Sequence, residues 1–300
     1  MSLEEIRNWI DQWATLPDIS SKNEFSDFGL ELGNRARLLM IAAASTCHPN
    51  TNGHSKDEAI IVGLHVRLYK LYDCLCLHFS LDHEEICNLF FRLIEETLLK
   101  MRYLIRNGKD SVRNYVLVSY KPVRELYDFI IDQGNDRPLW PVEERLLWKL
   151  NGQLANDGIT IEELRSVRNW KLDGKDSKAL WNDVYGNDGR YHMVFGIGSH
   201  AIHGDWKDIN CYHLEKTNDY YLPKIDYDKV DLRVLAPITI RCLEGTLDFL
   251  IWNETDPDKY LENLILQLRE LAVRIDSSHE DYITQIFERQ LAKDSDQQRD

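Results

Sequence analysis

A hydroxyl or carboxyl residue followed three positions later by glutamate, and then by apolar residues spaced three and four apart, recurs along this chain of 300 residues. Ser2 with Glu5, Ser55 with Glu58, Asp82 with Glu85 and Thr160 with Glu163 all have this spacing. At a helix start two such side chains satisfy backbone N–H groups that have no partner within the helix. Pro141 and Pro257 add first-turn prolines, and Ser278 with Asp281 marks a further start. The pattern predicts an all-α chain, a multi-helix bundle of about ten helices. Strand signals are poor, and only the region near residues 205–227 reads as a small hairpin or ordered loop.

One helical domain is expected over residues 1–293, with soft divisions near 134–140 and 171–178 and a frayed polar tail at 294–300. Apolar residues make up 43% of the chain, enough to bury a substantial core. Acidic side chains number 50 against 36 basic ones, a net charge of −14, which opposes non-specific attraction to nucleic acid or to anionic membranes. Basic residues gather modestly between Lys100 and Arg124, where a solvated helix face explains them. No apolar run of about twenty residues is present, so no membrane association is expected. The acidic start MSLEEIRNWIDQW does not resemble a secretion signal, and a cytoplasmic location is expected. Cys47, Cys74, Cys76, Cys87, Cys211 and Cys242 lie mostly in apolar helical segments and read as reduced core residues.

The most chemically loaded stretch runs from Tyr191 to His213. It holds His192, His200, His203 and His213, four of the ten histidines. A helix from about Asp188 is expected to end at Gly204, a natural left-handed cap residue. Gly196 and Gly198 lower the stability of that helix and suit close approach by another. Tyr191, Phe195, Ser199 and His203 follow at intervals of four and share a face. In a functional reading His203 is an acid/base or ligand-binding group oriented by Ser199; in a structural reading the pair is a buried hydrogen bond that sets helix register. Arg92 and Glu96, four apart in an apolar helix with Glu95 adjacent, would pair if buried, because an isolated buried charge is costly. A metal site from His200, His203, Asp205 and His213 is a weaker alternative: His200 and His203 have chelating spacing, but no second anchored pair accompanies them. No cofactor signature is found, and no P-loop, dinucleotide fingerprint or nucleophile elbow.

The Arg92/Glu96 helix, combined with the later Ser199/His203/Gly204 motif, resembles a bacterial helical family of unknown function over roughly residues 63–205. That family is similar in style to the HEPN superfamily of helical bundles, which includes abortive-infection proteins and toxin ribonucleases. The resemblance implies Arg92, Glu96, Ser199 and His203 as site residues, a homodimer, and an effector or sensor role in phage defence, acting through a protein partner or a small ligand. The alternative it implies is a metal-independent ribonuclease using His203 as acid/base, the one case in which nucleic acid would be a partner. The ribonuclease signature places an arginine and a histidine four to six residues apart, and the required positions ahead of His203 are Gly196, Ile197 and Gly198. Arg274 and His279 match the spacing formally, at a frequency chance explains.

Overall fold

The computed structural model describes the chain except residues 1, 14, 16–18, 20, 47–52, 188, 218–219 and 298–300, and except the side chains of residues 197 and 292–297. Among the described residues there are thirteen α-helices. In chain order they are α1 Leu3–Gln12, α2 Lys22–Ala44, α3 Lys56–Ser80, α4 Glu84–Asn107, α5 Lys109–Ser119, α6 Lys121–Asp136, α7 Pro141–Asp157, α8 Ile161–Ser166, α9 Ser177–Tyr185, α10 Tyr191–His203, α11 Trp206–Asp208, α12 Leu232–Asn253 and α13 Tyr260–Gln297. A 3₁₀ turn spans Leu172–Gly174 and a π-helical turn Ile209–His213. One antiparallel hairpin, β1 Leu214–Lys216 and β2 Tyr221–Pro223, pairs Glu215 with Leu222. The all-α class is observed, and the hairpin falls within 205–227. Among the described residues no helix is long and apolar enough to cross a membrane.

The caps act as the spacing predicts. Ser2 with Glu5 and Ser55 with Glu58 form complete capping boxes, the Thr160 hydroxyl accepts from the Glu163 N–H, and Pro141 opens α7. Three expected starts are displaced. Asp82 lies in the turn before α4 at φ +56°, and the helix begins at Glu84 instead. Pro257 lies in a turn, and α13 begins at Tyr260, where the Asp256 carboxylate accepts from the N–H groups of Tyr260 and Glu262 at 3.1 and 2.9 Å. No helix begins at Ser278, because α13 runs unbroken through it to Gln297 and so also through the start of the expected tail.

The chain divides into two compact units. The first comprises Met1–Ile105 and Asn187–Asp300, the second Arg106–Gly186. The segments 134–140 and 171–178 both lie inside the second. In the first unit α2, α3, α12 and α13 pack together over fully buried Leu39, Met40, Leu68, Leu235, Ile238 and Leu268. Polar contacts cross this core: the Tyr72 hydroxyl is 2.6 Å from that of Thr239, and His65 Nε2 is 3.2 Å from Thr246 Oγ1, while His65 Nδ1 has no hydrogen-bond partner among the described residues. Burial pushes the His65 imidazole down to about 3, so it is neutral where it stacks on Phe249. The second unit is organised around Val112, Ile130, Leu154, Leu164 and Trp181. Among the cysteines, Cys76, Cys87 and Cys242 are buried, Cys74 is half-buried and Cys211 is exposed, all as free thiols. Cys211 therefore departs from the expected core position, since the loop after Gly204 carries it to the surface. Cys47 lies outside the described residues.

Candidate functional site

Helix α10 starts at Tyr191 and ends where Gly204 adopts φ +56°, the left-handed cap expected of it. The two glycines within it differ. A Cβ on Gly196 would meet nothing within 4 Å, whereas one on Gly198 would clash with Arg92 Cβ and lie 2.9 Å from the Asn88 carbonyl oxygen. Gly198 is therefore the position that lets α10 close on α4. One turn earlier Phe195 is buried, stacks on Tyr191 at 4.8 Å, and receives the Arg92 guanidinium 3.9 Å above its ring.

This seam between α4 and α10 is built from other contacts than the motif suggests. Glu96 is bound by Lys100 at 2.6 Å on its own helix. Burial pushes the Glu96 carboxyl up, but Lys100, Arg92 and Arg67 outweigh it and hold the group below its usual range. The buried carboxylate is the neighbouring Glu95, 1% exposed, which accepts from Arg241 Nε and Nη2 at 3.1 Å each. Ser199 is half-buried and His203 is exposed at the last position of α10, and among the described residues no hydrogen bond joins them. Arg92, Glu96, Ser199 and His203 thus share two adjacent helices without forming one linked group.

The histidine-rich segment separates into pairs. His200 Nδ1 lies 2.5 Å from Asp205 Oδ2, and that hydrogen bond, chiefly, holds the Asp205 carboxyl below its usual range. His213 Nε2 lies 3.5 Å from Asp208. Asp205 also caps α11, accepting from the N–H groups of Lys207 and Asp208. Among the described residues no three His, Cys, Asp or Glu side chains are arranged to hold a metal ion. The set His200, His203, Asp205 and His213 therefore does not converge, because Asp205 and Asp208 each bind one histidine as the chain turns.

What these elements do enclose is a cleft of about 640 Å³ in the first unit. Its walls are Glu84, Asn88 and Phe91 of α4, Met193 and Val194 of α10, Tyr212, Asp231 with Arg233, Val234 and Pro237 at the start of α12, and Asp276 and Glu280 of α13. That volume lies within the roughly 300–1,000 Å³ of small-molecule sites, and an apolar wall with a few polar groups is their usual composition. Tyr212 joins the wall through Asn88, whose Nδ2 donates to the phenol oxygen at 3.0 Å. Pro237 has no N–H to give to the Arg233 carbonyl one turn before it, so that carbonyl lacks its helical donor.

The electrostatics are dominated by carboxylates. Asp231, the N-cap of α12, is the neutralised one, held by Lys22 at 3.0 Å and Arg233 at 3.3 Å. Burial pushes the Asp231 carboxyl up, but the Arg233 N–H and Lys22 outweigh it and leave the group lowered. Burial and then Asp228 raise the Glu84 carboxyl, and burial and then Glu280 raise that of Asp276. The Tyr212 phenol is pushed up to about 12 by burial and by Glu84. Behind Asp231 sits His279, fully buried, with Nε2 3.4 Å from Asp231 Oδ1 and its ring edge-on to Phe25. Neither ring nitrogen has a hydrogen-bond partner among the described residues. Arg274, the other half of the formal arginine–histidine match, donates to the Trp13 carbonyl at 2.8 Å.

The sequence reading missed Glu84, Asp231, Asp276 and Glu280. Two signals could have found them. Asp276 and Glu280 are like charges four apart on a helix, a mildly unfavourable spacing; and Pro237 inside a helix frees a carbonyl. The fold and cleft define an all-α protein with a mixed apolar and acidic cavity in its larger unit. No protein-family model, curated protein or solved structure matches this chain.

Proposed function

We propose that this chain is a helical-bundle binding protein whose ligand seat is the cleft between α4, α10, α12 and α13. The carrying observation is the cleft itself: about 640 Å³, walled by Phe91, Val194, Val234 and Pro237, and rimmed by carboxylates of which Asp276 and Glu280 have no ion pair among the described residues. Asp276 is half-buried and Glu280 exposed, so both carboxylates are accessible to a ligand in the cleft. The motif carriers Arg92 and Gly198 support this reading, since they set the distance between α4 and α10, the two walls that carry Phe91 and Val194. The setting we propose is the effector or sensor role in abortive infection to which the resemblance points, with ligand or partner binding as its trigger. A ribonuclease centred on His203 has less support, because among the described residues no hydrogen bond or ion pair brings an arginine or lysine to that exposed side chain.

A small-molecule library screened by thermal shift against the wild type and Val194→Trp tests the proposal. The expected result is at least one ligand that raises the Tm of the wild type and binds the variant at least tenfold more weakly. Ligands that act equally on both proteins, or none at all, would reject the cleft as the binding seat.

A further inference from the structure

The chemistry of the cleft narrows what it accepts. Four carboxylates line it, Glu84, Asp231, Asp276 and Glu280, against a single cation, Arg233. Arg233 is already bound to Asp231 at 3.3 Å, and Lys22 approaches the same carboxylate from outside the cleft lining at 3.0 Å. The positive charge is therefore concentrated on one carboxylate. Asp276 and Glu280, one turn apart on α13, have no cation of their own among the described residues. Pro237 also removes the helical N–H that would donate to the carbonyl of Arg233, a cleft-lining residue.

His279 lies on α13 between these two acids and backs the cleft wall at Asp231 without lining the cleft. Its ring is 0% exposed and turned toward the cleft wall at Asp231, with neither nitrogen hydrogen-bonded. A buried imidazole without a hydrogen bond is costly and uncommon. As a neutral ring it adds no positive charge to offset the acids beside it. The apolar part of the lining comes from Phe91, Val194, Val234 and Pro237, together with the exposed Met193. An anion would meet repulsion here, and a small hydrated cation would leave the apolar wall unused.

Resting on the reading of the cleft as a ligand site, we infer that it selects an organic cation: an amine carried on an apolar body, with its ammonium group on Asp276 and Glu280. The ammonium has three N–H donors to share between these carboxylates. The body lies against Phe91, Val194 and Val234.

Isothermal titration of the full chain at pH 7 with hexylamine, hexanol and hexanoate, three probes of one shape and different charge, tests this. Hexylamine should bind at least tenfold more tightly than hexanol, the scale of a hydrogen bond to a charged group, and hexanoate should bind most weakly. The double substitution Asp276→Asn with Glu280→Gln should remove the preference for the amine and leave hexanol unchanged. Met193→Lys, at an exposed position where folding is not at stake, should weaken hexylamine and favour hexanoate. Equal or tighter binding of hexanol or hexanoate, an amine preference that survives loss of both acids, or no binding of hexylamine would overturn the cation assignment. Val194→Trp separates the two readings. Hexanol binding that this variant abolishes, without amine preference in the wild type, retains the cleft and rejects the cation; amine binding that it leaves untouched rejects the cleft.

Discussion

The guanidinium of Arg92 lies 3.9 Å from the centre of the Phe195 ring, and Gly198, one turn further along α10, packs against the Cα and Cβ of that same arginine. One residue of α4 thus meets α10 both as a cation on an aromatic face and as a backbone surface. Arg92→Ala and Phe195→Leu, measured singly and together by urea unfolding, should show a coupling of about 0.5–2 kcal/mol. Strict additivity of the two would mean that the stacked geometry contributes nothing.

Gly198 and Gly196 give a paired test of helix approach. Gly198→Ala places a methyl against Arg92 Cβ and the Asn88 carbonyl, and should cost about 1–3 kcal/mol. Gly196→Ala meets open space and should be neutral or stabilising by up to about 1 kcal/mol from helix propensity. The order of the two melting temperatures checks this, and a Gly198→Ala protein as stable as wild type would contradict the close packing of α10 on α4.

Glu95 depends on Arg241. Because Glu95 is 1% exposed and bidentate with Arg241, Arg241→Met should leave an uncompensated buried charge and destabilise by about 3–5 kcal/mol. Adding Glu95→Leu to that background should recover much of the loss, which chemical denaturation of the single and double variants would read directly. A double variant no better than Arg241→Met would show that the carboxylate is not the source of the cost.

His65 predicts an acid-sensitive core. Its imidazole, lowered to about 3 by burial, takes up protons in the unfolded chain before it does in the folded one. Stability from this group is therefore complete above the ordinary histidine value near 6.5 and is lost as pH falls from there toward 3. Between pH 7 and pH 5 the loss should be about 2 kcal/mol. The slope of unfolding free energy against pH in His65→Leu should be flatter than in wild type by that amount, and an unchanged slope would assign the acid sensitivity elsewhere.

Local features were legible where their cause is local. The capping boxes at Ser2 and Ser55, the proline start of α7 and the glycine stop at Gly204 each depend on residues within one helical turn, so spacing alone identifies them. The same logic placed Phe195 on one stripe with Tyr191 and marked both Gly196 and Gly198 for close approach, of which only Gly198 meets a neighbour. It failed at Pro257 and Ser278, where an equally good start signal was available and tertiary packing of α12 against α13 selected one long helix beginning at Tyr260.

Partner choice was not legible. Arg92 and Glu96 have the spacing of a pair, yet Arg92 reaches Phe195, Glu96 takes Lys100, and the adjacent Glu95 finds Arg241, 146 positions away. Three neighbouring side chains on one helix point in three directions, and only the elements packed on each side decide which meets what. The cleft shows this most strongly, since its walls come from residues between Glu84 and Glu280. The sequence by itself determined an all-α chain and most of its caps, because backbone hydrogen bonding and side-chain periodicity act over a few residues. The tertiary structure alone decided which carboxylates share a cavity and which of them lack a cation, because burial and charge pairing depend on residues the chain brings together from far apart.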